Sequence, residues 1–94
     1  MKIIWSPRAI EHLLAVRAYI AQDNPAAAGR VAACILSSVE NLALHPNLGR
    51  AGRISGTREL VIPDTPYLVP YRIYKNRVEI IAVFHGRQRW PKHL

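Results

Sequence analysis

The residues best equipped for chemistry cluster near the C-terminus. His85 is followed by Arg87 and Arg89, and then by Trp90. A histidine titrates near neutrality, and beside guanidinium groups it could serve as a general acid. The competing reading is a strand-end residue bonded to a loop carbonyl. His12 on a helix and His45 at a helix end are expected to be structural, and His93 to be a frayed tail residue. No histidine pair has metal-ligand spacing supported by nearby carboxylates, so no metal and no cofactor is expected. Cys34 sits among Ala33, Ile35 and Leu36 and reads as a small buried hydrophobe rather than a catalytic thiol. As the single cysteine it can form no internal disulfide.

Arg58 and Glu59 are adjacent in a strand-like run, so their side chains point to opposite faces. One of the two must turn inward, and a buried charge requires a partner. The expected partner of Glu59 is Arg72 or Arg87.

Charge sets the wider context. The chain carries 13 Lys+Arg against 6 Asp+Glu, a net charge of +7. Residues 1–49 hold Lys2, Arg8, Arg17 and Arg30 against Glu11, Asp23 and Glu40, a net of +1. Residues 50–94 hold nine cations against Glu59, Asp64 and Glu79, a net of +6. The second half therefore carries the field that would attract nucleic acid or an acidic protein segment. Ten of the thirteen cations are arginine, which favours planar, specific contacts over mere solubility.

The elements that must position these groups fit one domain over residues 1–94. Half the chain (50%) is hydrophobic, enough for a core at this length. No apolar run reaches the roughly 18–20 residues of a membrane helix, and the N-terminus has no secretory pattern. No membrane role is expected, and the cytoplasm is the simplest location. Lys2–Trp5 reads as a short strand. Ser6-Pro7 is an N-cap followed by proline at the first helical position. Ala9, Leu13, Val16 and Ile20 then form one apolar stripe, widened by Ile10 and Leu14, over a helix from Pro7 to Gln22. Asn24-Pro25 repeats the start signal for a second helix ending near Leu44, with Ala28, Ala32, Ile35, Val39 and Leu42 as its stripe. So short a connection makes the pair an antiparallel hairpin. Val31 and Leu36 lie off the stripe and either add core or stay exposed for a partner.

Residues 45–57 read as loop. Strands follow over Arg58–Ile62, Tyr67–Tyr74 and Arg77–His85, the last two joined tightly through Lys75-Asn76. Pro70 inside a strand implies an edge or a bulge. Tyr67 and Tyr71 share one strand face and line core or groove. The order β-α-α-β-β-β implies an α+β fold, a helical hairpin packed on a small antiparallel sheet.

Several of these segments together resemble the RelE/ParE toxin superfamily of type II toxin–antitoxin modules. They are Gly49-Arg50, Gly56-Thr57-Arg58-Glu59-Leu60-Val61, Tyr67-Leu68-Val69-Pro70-Tyr71-Arg72-Ile73 and His85-Gly86-Arg87-Gln88-Arg89-Trp90-Pro91. The resemblance covers essentially the whole chain. It implies one of two activities, ribosome-dependent mRNA cleavage as in RelE-like members or poisoning of DNA gyrase as in ParE-like members. Either is held in check by an antitoxin. A non-toxic family member acting only as an antitoxin partner is the third possibility.

RNA cleavage needs groups to remove the 2′-hydroxyl proton, stabilise the phosphorane and protonate the leaving oxygen. The nuclease branch often places an arginine where this chain has Leu68, and often carries a tyrosine or histidine close to the C-terminus. Here the end is Trp90-Pro91-Lys92-His93-Leu94, with no tyrosine. The resemblance is therefore closest to the ParE-like branch. It implies a toxin of a plasmid-stabilisation type module that inhibits DNA gyrase, with no catalytic residues of its own. If the chain is a nuclease, Arg58, His85 and Arg87 are the expected catalytic groups. Candidates for meeting the target are Arg53, Arg58, Arg72, His85, Arg87, Arg89 and Trp90. Candidates for meeting a ParD-like antitoxin are Val31, Leu36, Tyr67, Tyr71 and Arg72. The antitoxin complex is expected to be a heterotetramer or larger, with operator DNA bound only through the antitoxin. The alternative target is the ribosome with its mRNA.

Overall fold

Both helices begin where capping chemistry places them. The Ser6 hydroxyl accepts the Ala9 N–H at 3.0 Å, and Asn24 Oδ1 accepts the Ala27 N–H at 3.1 Å. Pro7 and Pro25 fill the first helical positions, where the missing N–H costs nothing. Helix α1 spans Pro7–Ala21 and α2 spans Pro25–Glu40, continued by a 3₁₀ turn over Asn41–Ala43. The computed structural model describes residues 1–91. Strand β1 is Lys2–Trp5, β2 Arg50–Ala51, β3 Arg58–Val61, β4 Tyr67–Tyr74, β5 Arg77–Ile80 and β6 Phe84–His85.

The helical hairpin covers one face of a sheet ordered β1-β5-β4-β3-β2, with β6 also paired to β4. Alternate residues of the strands build the core. Leu60, Ile62, Tyr67, Val69, Tyr71, Val78 and Ile80 meet Ala9, Ile35, Val39 and Leu42 from the helices. Leu13, Val16 and Ile20 pack against this core as expected. Ile10 and Leu14 do not widen the stripe, because each is turned about 100° from its core-facing neighbour, and they stay 46% and 59% exposed.

The sheet departs from the expected antiparallel pattern at β1, which pairs in parallel with β5 (Lys2 opposite Arg77, Trp5 opposite Ile80). Ser6 fixes this junction. Its N–H donates to the Ile80 carbonyl at 3.0 Å and its hydroxyl to the Ile81 carbonyl at 2.9 Å. The residue that caps α1 thus also ties β1 to the end of β5. A second departure is β2, two residues inside the segment expected to be loop, pairing Arg50 with Glu59 and Ala51 with Arg58.

The expected strand Arg77–His85 is broken in two. Tyr71 faces Ile80, but Leu68 faces Phe84, so residues 81–83 oppose only Val69 and Pro70. The extra residue makes a bulge. Pro70 suits it, because its carbonyl accepts the Ile81 N–H at 3.0 Å on that side, where the absent proline N–H would also have pointed. The Val83 N–H within the bulge donates to His12 Nδ1 at 3.2 Å, giving this histidine of α1 the structural role expected for it. No helix among the described residues is long and apolar enough to cross a membrane.

Candidate functional site: the basic loop and the C-terminal segment

The long loop before β3 is held by three side chains from the sheet. The Tyr71 hydroxyl donates to the Pro46 carbonyl at 2.7 Å and accepts the Gly49 N–H at 2.8 Å. Burial pushes this phenol's pKa up, so it stays a neutral donor. Gly49 must be glycine here, since a Cβ would lie 2.6 Å from Tyr71 Cε1. Arg58 Nη1 donates to the Gly49 carbonyl at 2.8 Å and the Asn47 carbonyl at 3.3 Å.

Glu59 is the third. Its side chain is 2% exposed, and it is the buried charged residue of the interior. One oxygen accepts the Arg53 backbone N–H at 2.8 Å and Arg53 Nε at 3.1 Å. The other accepts Arg50 Nη2 at 3.3 Å and Arg53 Nη2 at 3.4 Å. Burial alone would raise the carboxyl's pKa, but the bonds from Arg53 and Arg50 outweigh it and hold the group below its usual value.

These contacts correct the expected ion pair. Glu59 joins neither Arg72 nor Arg87, because strand register places it beside Arg50 and Pro70. Arg72 instead lies opposite Glu79 and bonds it at 2.7 Å, with Arg77 Nε at 3.0 Å from the same carboxylate.

The C-terminal segment comes to the loop from the far side of β4. Gly86 N–H donates to the Pro66 carbonyl at 2.7 Å, and Gln88 closes a turn back onto His85. His85 Nδ1 accepts the Arg87 N–H at 3.1 Å, and its ring meets Tyr67 edge-on at 5.6 Å. Trp90 packs back onto the body, 4.8 Å from the Phe84 ring, with the Arg53 guanidinium 3.6 Å from its centroid.

Among the expected target-facing residues, Arg53 and Trp90 are thus in direct contact, while Arg87 and Arg89 are exposed beside them. Arg58 is spent on loop carbonyls. It lies opposite Tyr71 on one side of β4, whereas His85 lies opposite Tyr67 on the other. That is four residues along the strand, about 13 Å, so the trio Arg58, His85 and Arg87 is not assembled at one point. Lys92 and His93 lie outside the described residues.

Two of the residues named for the antitoxin lie in the interior. Tyr67 and Tyr71 are 7% and 0% exposed and belong to the core, because odd-numbered residues of β4 face the helices. Val31 packs partly against the core. Leu36 is 45% exposed, and Arg72 is exposed beside Glu79. Sequence reasoning missed Leu44, Leu48 and Val61, which are also exposed. Leu48 and Val61 line a groove with Ser38, Asn41, Arg50 and Pro63. For Leu48 the available signal was an apolar residue inside the segment read as loop. No group of three His, Cys, Asp or Glu among the described residues could hold a metal ion.

Comparison with known proteins agrees with this geometry. Residues 3–90 match the family model described as "ParE toxin of type II toxin-antitoxin system, parDE". The chain is 50% identical over 93 residues to the putative toxin Y4kP of Sinorhizobium fredii, covering 99% of this chain and 96% of that one. It is 34% identical over 85 residues to toxin RelE2 of Caulobacter vibrioides, covering 90% and 94%. Its fold is similar to a solved chain from the chromosomal ParDE system of P. aeruginosa, with a TM-score of 0.83 at 22% identity over 90% of this chain and 95% of that one. By the extent of the family match and the relatives that share it, this chain belongs to the ParE toxins of type II toxin–antitoxin systems, within the RelE/ParE superfamily.

Proposed function

We propose that the chain inhibits DNA gyrase in the cytoplasm, as part of a plasmid-stabilisation type module, and that a ParD-like antitoxin neutralises it. The observation that carries the choice of target is Leu68. It stands where nuclease members of the superfamily often have an arginine, and it is 7% exposed, paired across the strands with Phe84. A cation there would be buried without a partner. The one arginine expected to help a nuclease from β3, Arg58, is occupied by two backbone carbonyls. Gyrase poisoning asks only for a surface that binds the enzyme and holds its cleaved state. Arg53, Arg87, Arg89 and Trp90 on the loop and C-terminal segment offer such a surface.

The antitoxin's place is the side of α2 and β3. Leu48 and Val61 expose apolar area there, and Arg50 adds a cation for an acidic segment. Charge steers such a complex together, and buried apolar contacts carry most of the affinity.

The test is a supercoiling assay with purified gyrase and chain. The reading expects loss of supercoiling and accumulation of cleaved DNA, both reversed by the antitoxin. Undisturbed supercoiling at equimolar and higher ratios contradicts it. The second reading, a ribosome-dependent mRNA endonuclease, draws on the relative named RelE2 and on His85 beside Arg87. It expects His85→Ala and Arg87→Ala each to stop cleavage of ribosome-bound mRNA.

A further inference from the structure

The loop and the C-terminal segment are far apart in sequence and meet at one arginine. Arg53 reaches the buried carboxylate of Glu59 through its backbone N–H, Nε and Nη2. The bonds from Nε and Nη2 run along the edge of the guanidinium and leave its flat face free. Trp90 occupies that face, 3.6 Å from the guanidinium carbon. An unrestrained arginine at a half-exposed position samples many rotamers, and its stacking surface is then absent most of the time. Glu59 removes that freedom.

The segment depends on this contact. Among the described residues, no hydrogen bond beyond Gln88 ties the segment to the body of the protein, and the Trp90 indole N–H is buried with no partner among them. The ring's place therefore rests on Arg53 and Phe84. Arg50 binds the same carboxylate without stacking on Trp90, which separates the two effects of Glu59. Two arginines sharing one carboxylate also leave the junction cationic.

We infer that Glu59 is a positioning residue for the C-terminal segment. By fixing Arg53 it builds the ledge on which Trp90 stacks, and so makes the loop around residues 50–53 and the segment after Gly86 one basic surface. The inference deepens the proposed function and rests on it for the surface's role, while the positioning itself is open to an independent readout.

Trp90 supplies that readout once Trp5 is replaced by Phe. In this background, the Arg53→Gln and Glu59→Gln proteins are compared with Arg50→Gln for Trp90 emission and acrylamide quenching, with far-ultraviolet circular dichroism as the check on folding. The expected result is a red shift and faster quenching for Arg53→Gln and Glu59→Gln, and neither for Arg50→Gln. If Glu59→Gln does not fold, the half-exposed Arg53→Gln carries the comparison. Unchanged Trp90 emission and quenching in a folded Arg53→Gln or Glu59→Gln protein overturns the inference. Growth inhibition by the same variants is scored in parallel. Release of Trp90 with toxicity intact upholds the positioning and rejects this surface as the one that meets the target.

Discussion

At the scale of single residues, the interior polar groups serve the long loop. Glu59 and Tyr71 were legible as a buried charge and a strand-face aromatic, but their partners were not. The Glu59 pair follows from β2, a two-residue strand with no periodicity of its own, and from a register that puts Arg72 against Glu79. Neither is written in local spacing. The cost of removing these groups is calculable in outline. Tyr71→Phe leaves the buried Gly49 N–H and Pro46 carbonyl without their shared partner, and should cost about 1–3 kcal/mol in denaturant unfolding. An undiminished midpoint would show that water replaces the hydroxyl.

His12 gives the pH dependence. Burial, then the nearby Arg8, lower its pKa from 6.5, against the weaker opposing effect of Glu11. A folded-state value below the unfolded one means that the unfolded chain binds the proton more readily. The stabilisation is therefore present above pH 6.5 and lost as pH falls through the depressed value. Unfolding midpoints measured from pH 7.5 to 5 should fall for the parent and flatten for His12→Ala. Equal slopes would remove His12 as the source.

At the scale of elements, the helices were read to within a few residues because capping chemistry is local: Ser6-Pro7 and Asn24-Pro25 announce their own starts. The C-terminal strand was read as continuous because residues 80–84 form an unbroken apolar run, and a bulge leaves that pattern intact. Only Pro70 on the neighbouring strand hinted at it. The β4–β5 turn offers a prediction of its own. Lys75 and Asn76 both have positive φ, 49° and 59°. Lysine is a poor occupant of the left-handed region, whereas Asn-Gly suits a two-residue turn of this kind. Lys75→Asn combined with Asn76→Gly should stabilise the protein by about 1 kcal/mol. A lower thermal midpoint would mean that the Lys75 side chain, whose ammonium lies 5.4 Å from the Tyr74 ring, contributes more than the turn costs.

At the scale of the whole molecule, the helical hairpin and β-sheet hold up two different surfaces. The apolar residues beside α2 and β3 suit a protein partner, and the cationic loop with the C-terminal segment suits the target. The uneven charge, +1 against +6 for the two halves, was visible in composition. That the two basic regions touch was not, since it depends on Arg53 reaching Trp90 across 37 residues of chain. Truncation after Gly86 should abolish toxicity while the protein still folds, because the core from Ala9 to Val83 is complete without the segment. Toxicity retained by the truncated protein would exclude the segment as the active surface.

The most direct test of the central claim is pulse-labelling of DNA and protein synthesis at early times after inducing the chain alone in bacterial cells. Gyrase inhibition predicts that DNA synthesis fails first, with induction of the SOS response. Protein synthesis failing first would contradict it and assign the chain to mRNA.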